Sequence, residues 1–132
     1  MFNNGLPFDD RNLVPLTHAH SSPFTIRSNI QEYLADNPEP DFTAIFCNND
    51  VIALEFIRLK SEEGSGLSKD IAVVGFDDTL ISKSFEISSV HQPIQEMTKT
   101  AFTLLLERMK DNSREPVAIE LPPRLIIRKS SL

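Results

Sequence analysis

Apolar and polar residues follow one another along the 132-residue chain in blocks that predict alternating strands and helices. Residues 43–47 (TAIFC) and 70–76 (DIAVVGF) are short, almost continuously apolar runs, which is typical of buried strands in a parallel sheet. Residues 50–63 instead repeat apolar positions at spacings of three and four, which predicts a helix, and the segment 21–41 (SSPFTIRSNIQEYLADNPEPD) does so before a Pro-rich stop, which predicts a helix followed by a turn. Strand–helix units in this order indicate an α/β fold with a parallel sheet.

The sequence also predicts the turns around these elements. The helix that begins at Asp50 is followed by EEGSG, where Gly64 or Gly66 suits a left-handed C-terminal cap. The strand at 70–76 is followed by two aspartates that we expect to open a loop. Before all of these, residues 13–17 (LVPLT) have the composition of a short strand, with a proline that favours an edge or an extended entry.

The last third of the chain predicts one more strand, a long helix and a two-stranded tail. Residues 87–92 (ISSVHQ) read as a strand, and Pro93 suits the first position of the following helix, with Gln92 as its cap. That helix has an apolar stripe that requires a partner surface. The tail offers two short apolar runs, 117–121 (VAIEL) and 124–128 (RLIIR).

Composition narrows the function. A formal charge of −6 opposes direct binding to DNA or RNA, because phosphate contacts need clustered Lys and Arg. A single cysteine excludes a disulfide framework and a cysteine-rich zinc site. The start of the chain lacks the features of a signal peptide, and no apolar run is long enough to span a membrane. We therefore expect a soluble, cytoplasmic protein that forms one domain or part of one.

Candidate chemistry lies in two polar clusters that directly follow the predicted strands, at 47–50 (CNND) and 75–78 (GFDD). Ligands of parallel α/β sheets bind beyond the carboxyl ends of the strands. An asparagine in the first cluster suits a helix cap, and Asp50 in the first turn complements the helix dipole. Asp50 and Asp77 also suit a crevice in which a carboxylate accepts hydrogen bonds from vicinal hydroxyls or ring N–H groups. The capping and binding interpretations can coexist.

Metal and catalytic alternatives have weaker patterns. A magnesium site of the phosphoacceptor type needs a further acidic pair after the first strand, where this chain has LTHAHSS. His18 and His20 share one face of an extended strand but have no third ligand at a recognisable spacing. His91 has no nearby acid and serine for a triad. We therefore expect neither an enzyme nor a cofactor.

From residue 43 to residue 131 the chain resembles the C-terminal part of LacI/GalR family transcriptional regulators. The resemblance rests on motifs in a fixed order, namely a strand ending in Asn-Asp, then DIAVVGFDD, HQP, LLLERM and PPRLIIRKSS. It implies a partial parallel-sheet three-layer sandwich of the type I periplasmic-binding-protein-like (Rossmann-like) class. It also implies that residues 1–92 and 122–132 belong to the C-terminal subdomain, and residues 93–121 to a crossover helix and strand of the other subdomain.

The function that this resemblance implies is effector sensing and dimerisation in a DNA-binding repressor. The effector would be a small molecule such as a sugar or a related metabolite. Operator DNA would be bound only through an N-terminal domain, for which this chain shows no helix-turn-helix pattern. The alternative is a sugar-binding transport receptor of the periplasmic type, which shares the fold.

The resemblance also carries effector-binding positions onto this chain. The matching positions are Asp50, Asp77, Gln92, Ile94, His20 and Ser21. The loop at 18–22 corresponds to one that often supplies an aromatic stacking group, and this chain has His20 and Ser21 there and lacks the usual glycine. Because of this departure, a non-sugar effector, a phosphorylated sugar or a partner protein remains an alternative to a stacked sugar.

The helix from Asp50 is apolar on more sides than one sheet can cover. In the family, the corresponding helix lies at a two-fold interface, so we predict a homodimer that contacts its mate through Ile52, Phe56 and Leu59. The alternative is that another part of the same chain, a long loop, covers the second side.

Overall fold

Four helices and four strands make up the part of the chain that the computed structural model describes, residues 13–14, 22–37 and 42–132. The helices are α1 (Pro23–Asp36), α2 (Asp50–Lys60), α3 (Leu80–Ser84) and α4 (Ile94–Lys110). The strands are β1 (Ala44–Phe46), β2 (Ala72–Phe76), β3 (Ser88–His91) and β4 (Arg124–Ile126), followed by a short 3-10 turn at Lys129–Ser131. None of the helices within these ranges is both long and apolar enough to cross a membrane.

The strands form one open sheet in the order β1-β2-β3-β4. The first three strands are parallel, as their apolar runs predict, and β4 pairs antiparallel to β3. The carboxyl ends of β1, β2 and β3 therefore lie along one edge of the sheet. The first residue of β4, Arg124, pairs with His91 at the same edge. This edge gathers the residues that follow each strand.

Local sequence signals explain where the helices begin and end. The Ser22 side chain accepts a hydrogen bond from the Thr25 backbone N–H at the start of α1, and the Asn49 side chain accepts one from the Ile52 N–H at 2.9 Å at the start of α2. After α2, Gly64 has φ 77° and Gly66 has φ 74°, the left-handed conformation predicted for this turn.

The core lies between α1, α2 and the sheet. Buried side chains from these three parts belong to one apolar cluster that includes Ile26, Ile30, Phe56 and Val73. The rings of Phe42 and Phe56 lie 6.3 Å apart, and an ion pair between Arg27 and Glu62 joins α1 to the residues that follow α2. The second side of α2 is therefore covered by a helix of the same chain.

Several sequence-based predictions differ from the structure. The β1 strand is an exposed edge among the described residues, with Phe46 61% exposed, because it pairs with another strand on one side only. Residues 117–121 form no strand, and the first four of them are exposed rather than paired. The two aspartates after β2 open a short loop, as predicted, but this loop ends at residue 79 and leads into the short helix α3, which was not predicted. Residues 15–17 of the first predicted strand lie outside the described residues.

Helix α4 differs from the other helices in having no buried residue. Its large apolar side chains are exposed, namely Ile94, Met97, Phe102, Leu105, Leu106 and Met109. The helix starts one residue later than predicted, since Pro93 takes the cap position. The described residues leave its apolar stripe without the partner surface that the sequence requires.

Cys47 provides a chemical test of the core. The thiol is 3% exposed, and burial, followed by the charge of Asp50, raises its pKa from 9.0 to about 12. Because the thiolate is the reactive form, we expect a disulfide reagent at pH 8 to modify folded Cys47 about 1,000-fold more slowly than the denatured chain. The rate of absorbance change with and without denaturant measures this ratio. Equal rates would contradict the buried position.

Candidate functional site

Asp50 lies beneath the carboxyl edge of the sheet, with 1% of its surface exposed. Its Oδ2 accepts hydrogen bonds from the Thr79 backbone N–H at 2.7 Å and the Thr79 hydroxyl at 2.8 Å. Its Oδ1 accepts a hydrogen bond from the Ser89 hydroxyl at 2.6 Å. The carboxylate therefore ties the start of α2 to the segments that follow β2 and form β3. Both of its oxygens have partners within the chain.

Gly75 leaves room for this carboxylate. A Cβ on Gly75 would come within 2.5 Å of Asp50 Oδ1 and within 3.3 Å of the Ala53 Cβ. Such a separation is shorter than van der Waals contact, so a side chain here would displace either the carboxylate or α2. The close approach of α2 to β2 thus depends on a glycine in the middle of the strand.

Asp77 and Gln92 form the accessible pair at this edge. Asp77 is exposed immediately after β2, and its Oδ1 accepts a hydrogen bond from Gln92 Nε2 at 2.8 Å. The Asp77 backbone N–H donates to the Val90 carbonyl at 3.0 Å, which fixes the turn against β3. A carboxylate and an amide side by side offer acceptors and a donor to a small polar ligand.

Asp78 points away from that pair toward the side chains of Arg128, His91 and Lys83. Its Oδ1 lies 2.6 Å from Arg128 Nη2, and its Oδ2 lies 3.1 Å from His91 Nδ1 and 3.9 Å from Lys83 Nζ. Burial raises the pKa of Asp78, but the hydrogen bond and charge of Arg128, with smaller effects of His91 and Lys83, outweigh it and lower the pKa below 3.8. The ionised carboxylate therefore stabilises the fold at a pH above the pKa that Asp78 has in the unfolded chain. This stabilisation is lost as the pH falls through the lower pKa of Asp78 in the folded chain.

The remaining predicted site residues are scattered. Ile94 is 53% exposed at the start of α4, next to Gln92 along the chain. His20 and Ser21 lie outside the described residues, as does the pair of His18 with His20. Within the described ranges, no three His, Cys, Asp or Glu side chains are grouped so as to hold a metal ion.

The residues predicted for the dimer interface are interior ones. Ile52, Phe56 and Leu59 are 5%, 2% and 3% exposed in this single chain. Their side chains pack against α1 and the sheet, so they present almost no surface to a second subunit. The accessible part of this region is Arg58, whose guanidinium lies 5.7 Å from the centre of the half-exposed Phe85 ring.

The sequence pattern did not predict roles for Thr79, Ser89 or Arg128. Thr79 and Ser89 hold Asp50 in place, and Arg128 holds Asp78. These residues reach their partners from 29, 39 and 50 positions away in the chain. Local patterns carry no signal for such contacts. A partial signal is the unusual pair of serines in the otherwise apolar strand β3, since a buried hydroxyl needs a polar partner.

A separate cavity of about 250 Å³ lies between α1, β1 and α2. Its walls are mainly apolar and include Leu34, Phe42, Phe46 and Phe56. Tyr33 and Asn48 are the polar side chains among its lining residues. The carboxyl edge, in contrast, concentrates charged and amide groups that can orient a polar ligand.

An open α/β sheet with polar groups gathered beyond its strand ends is an arrangement that periplasmic-binding-protein-like domains share with other ligand-binding α/β folds. Comparison with known proteins agrees, since the model of the periplasmic binding protein-like domain matches residues 8–131. The chain belongs to this family, and its resemblance to the effector-binding region of LacI/GalR regulators is confirmed.

One curated relative and two solved structures illustrate the similarity. The HTH-type transcriptional repressor PurR of Photobacterium profundum is 38% identical over 101 residues, which cover 75% of this chain and 30% of that protein. The transcriptional regulator CelR in complex with cellobiose superimposes with a TM-score of 0.78 at 27% identity, covering 98% of this chain and 39% of CelR. The lac repressor dimer, bound to operator and an anti-inducer, gives a TM-score of 0.67 at 27% identity, covering 84% and 38%.

These comparisons confirm the predicted fold class and show how much of the relatives' length this chain covers. The chain spans about a third of the length of the curated relatives it matches. The relatives are transcriptional regulators rather than enzymes, which fits the expected non-enzymatic role.

Proposed function

We propose that this chain is the effector-sensing and dimerisation part of a cytoplasmic transcriptional repressor, with a small polar metabolite such as a sugar as its effector. The observation that carries the proposal is the exposed Asp77–Gln92 pair at the carboxyl edge of the parallel strands. A carboxylate fixed at this edge can accept hydrogen bonds from ligand hydroxyls or ring N–H groups. The cellobiose complex of CelR supports a ligand of this kind.

In this proposal, the aspartates have different roles. Asp77 and Gln92 contact the effector, and Ile94 supplies apolar contact beside them. Asp50 has a structural role beneath the site, because its surface is buried and its two carboxylate oxygens hold Thr79 and Ser89 in place. His20 and Ser21 remain sequence-based candidates for the opposite side of the ligand.

The exposed stripe of α4 supports the proposed division of the chain. A helix with six exposed large apolar side chains requires a partner surface. We propose that residues 93–121 cross to a second subdomain. The curated relatives are longer than this chain, and their additional length is sufficient for such a subdomain. Effector binding between the two subdomains then shifts the equilibrium between the open and closed forms of the protein, and this shift is the regulatory signal.

The proposed dimer uses the outer side of α2 together with the start of α3 and the residue that follows α3. Arg58, Leu80 and Phe85 are exposed there, whereas the core side of α2 is covered within the chain. The dimer of the lac repressor supports a two-fold assembly. Contact with operator DNA is assigned to a separate domain of a longer protein, since the net charge of this chain is −6.

The effector proposal is tested by calorimetric titration with two probes. Cellobiose offers vicinal hydroxyls, and hypoxanthine offers ring N–H groups. We expect at least one to bind, and Asp77→Ala to weaken that binding about 10- to 100-fold, because a hydrogen bond to a charged group is lost.

Asp70→Ala is the matched control. Asp70 is an exposed aspartate that lies just before β2, at the opposite end of the strand that Asp77 follows. This variant should bind as the unmodified chain does. Equal affinities of the Asp77→Ala and Asp70→Ala variants would count against an effector surface at the carboxyl edge.

A further inference from the structure

We propose that Arg128 is a positioning residue for the effector surface: it holds Asp78, and through Asp78 the backbone turn that presents Asp77 beside Gln92. This inference rests on the proposed function, because it concerns the geometry of the same site. Arg128 follows β4 near the end of the chain, 50 positions from Asp78. No local sequence pattern connects the two residues.

The turn needs support because its backbone conformation is unfavourable. Asp77 has φ 94° and Asp78 has φ 49°, and both are residues with a Cβ. Positive φ angles at two successive non-glycine residues cost free energy, and they persist where surrounding contacts impose them. A relaxed turn would point the Asp77 carboxylate in another direction and break its hydrogen bond with Gln92.

Contacts to Asp78 supply that support. Its backbone N–H donates to the Ser89 hydroxyl at 3.0 Å, and its carboxylate meets Arg128, His91 and Lys83. Among these three partners of the Asp78 carboxylate, the Arg128 side chain is the least exposed, at 15% compared with 36% for His91 and 52% for Lys83. The Arg128 pair is also the shortest, so it is the least screened by solvent.

Arg128 is itself fixed to the sheet. Its backbone N–H donates to the Ser88 hydroxyl at 2.7 Å, and its Nη1 donates to the Ile87 carbonyl at 2.7 Å. The adjacent 3-10 turn adds a further anchor, since the Ser130 hydroxyl donates to the Val73 carbonyl at 2.6 Å. The guanidinium therefore has a fixed position from which to hold Asp78. The register between β3 and β4 is thereby linked to the geometry of the effector surface.

The test compares Arg128→Met with Arg124→Met by NMR of the 132-residue chain. Arg124 is an exposed arginine at the start of β4, so it provides the same substitution four positions earlier in the chain. A positive φ gives a strong NOE between the amide and α protons of one residue. We expect Arg128→Met to weaken this signal at Asp77 and Asp78 and to raise the pKa of the Asp78 carboxyl. The Arg124→Met variant should change neither, and Arg128→Lys should restore both in part.

Strong intraresidue NOEs at Asp77 and Asp78 in the Arg128→Met variant would overturn the proposal, even with a raised pKa at Asp78. If that variant does not fold, Asp78→Asn decides the question. Asparagine tolerates positive φ but gives Arg128 no charged partner. We expect the Asp77 signal to weaken in Asp78→Asn, and its retention would overturn the proposal. These readouts involve no effector, so their failure is distinguishable from failure of the effector titrations.

Discussion

Replacing Asp50 with alanine is expected to lower the free energy of unfolding by about 3 to 5 kcal/mol. The substitution removes a buried carboxylate that accepts hydrogen bonds from the Thr79 N–H, the Thr79 hydroxyl and the Ser89 hydroxyl. These donors would be left without their partner in the interior, where each unsatisfied group costs about 1 kcal/mol or more. Urea unfolding followed by circular dichroism measures the change.

Two further variants sharpen the Asp50 prediction. Asp50→Asn keeps the shape of the side chain and one accepting oxygen, so we expect a smaller loss than for alanine. Asp70→Ala, at an exposed position, should change the free energy of unfolding by less than about 0.5 kcal/mol. If Asp50→Ala were as stable as Asp70→Ala, the network below the carboxyl edge would not hold the fold together.

Replacing Phe56 with alanine is expected to cost about 3 to 5 kcal/mol of stability within a single chain. The ring is 2% exposed and packs against Phe42 in the core between α1, α2 and the sheet. Removing it leaves a cavity that the surrounding helices can fill only in part. The same urea experiment measures the loss, and light scattering measures the assembly state.

Phe85→Ala is the matched control, because Phe85 is a half-exposed ring that contacts Arg58. We expect it to cost no more than about 1 kcal/mol of stability. If the proposed dimer forms, Phe85→Ala should weaken it, whereas Phe56→Ala should act on the fold. A Phe56→Ala variant that keeps full stability but becomes monomeric would restore the sequence-based interface.

The prediction of an interface at Ile52, Phe56 and Leu59 shows where periodicity stops being informative. The helix is apolar on several sides, and the sequence indicates correctly that it needs two covering surfaces. It does not indicate whether the second surface belongs to the same chain. In the structure that surface is α1, whose Ile26 and Ile30 belong to the same buried cluster.

Asp50 shows a related limit for the candidate site. The sequence places an asparagine cap and an aspartate at the start of α2, and Asn49 does cap the helix. Cap rules do not state whether a first-turn carboxylate faces solvent or the sheet. The inward direction depends on the missing side chain of Gly75 and on hydroxyls that come from 29 and 39 positions away. Only the folded arrangement brings these groups together.

The fold itself was more predictable, since its signals are local. Continuous apolar runs identified β1 and β2 as parallel strands, apolar spacings of three and four identified α1, and an asparagine cap located the start of α2. The short helix α3 has no side-chain cap that would indicate its start from the sequence. Residues 117–121 have strand composition but no partner strand among the described residues, so composition alone overstated the sheet.

The central claim is that the effector binds at the carboxyl edge of the sheet, and residue-resolved NMR titration tests it most directly. Amide spectra of the labelled chain are recorded with increasing cellobiose and, separately, hypoxanthine. We expect the largest shifts for at least one of these compounds to fall on Asp77, Gln92 and their neighbours, and to disappear in Asp77→Ala. Shifts centred on Tyr33 and Phe42 at the apolar cavity, or no shift at Asp77 and Gln92 with either compound, would contradict it.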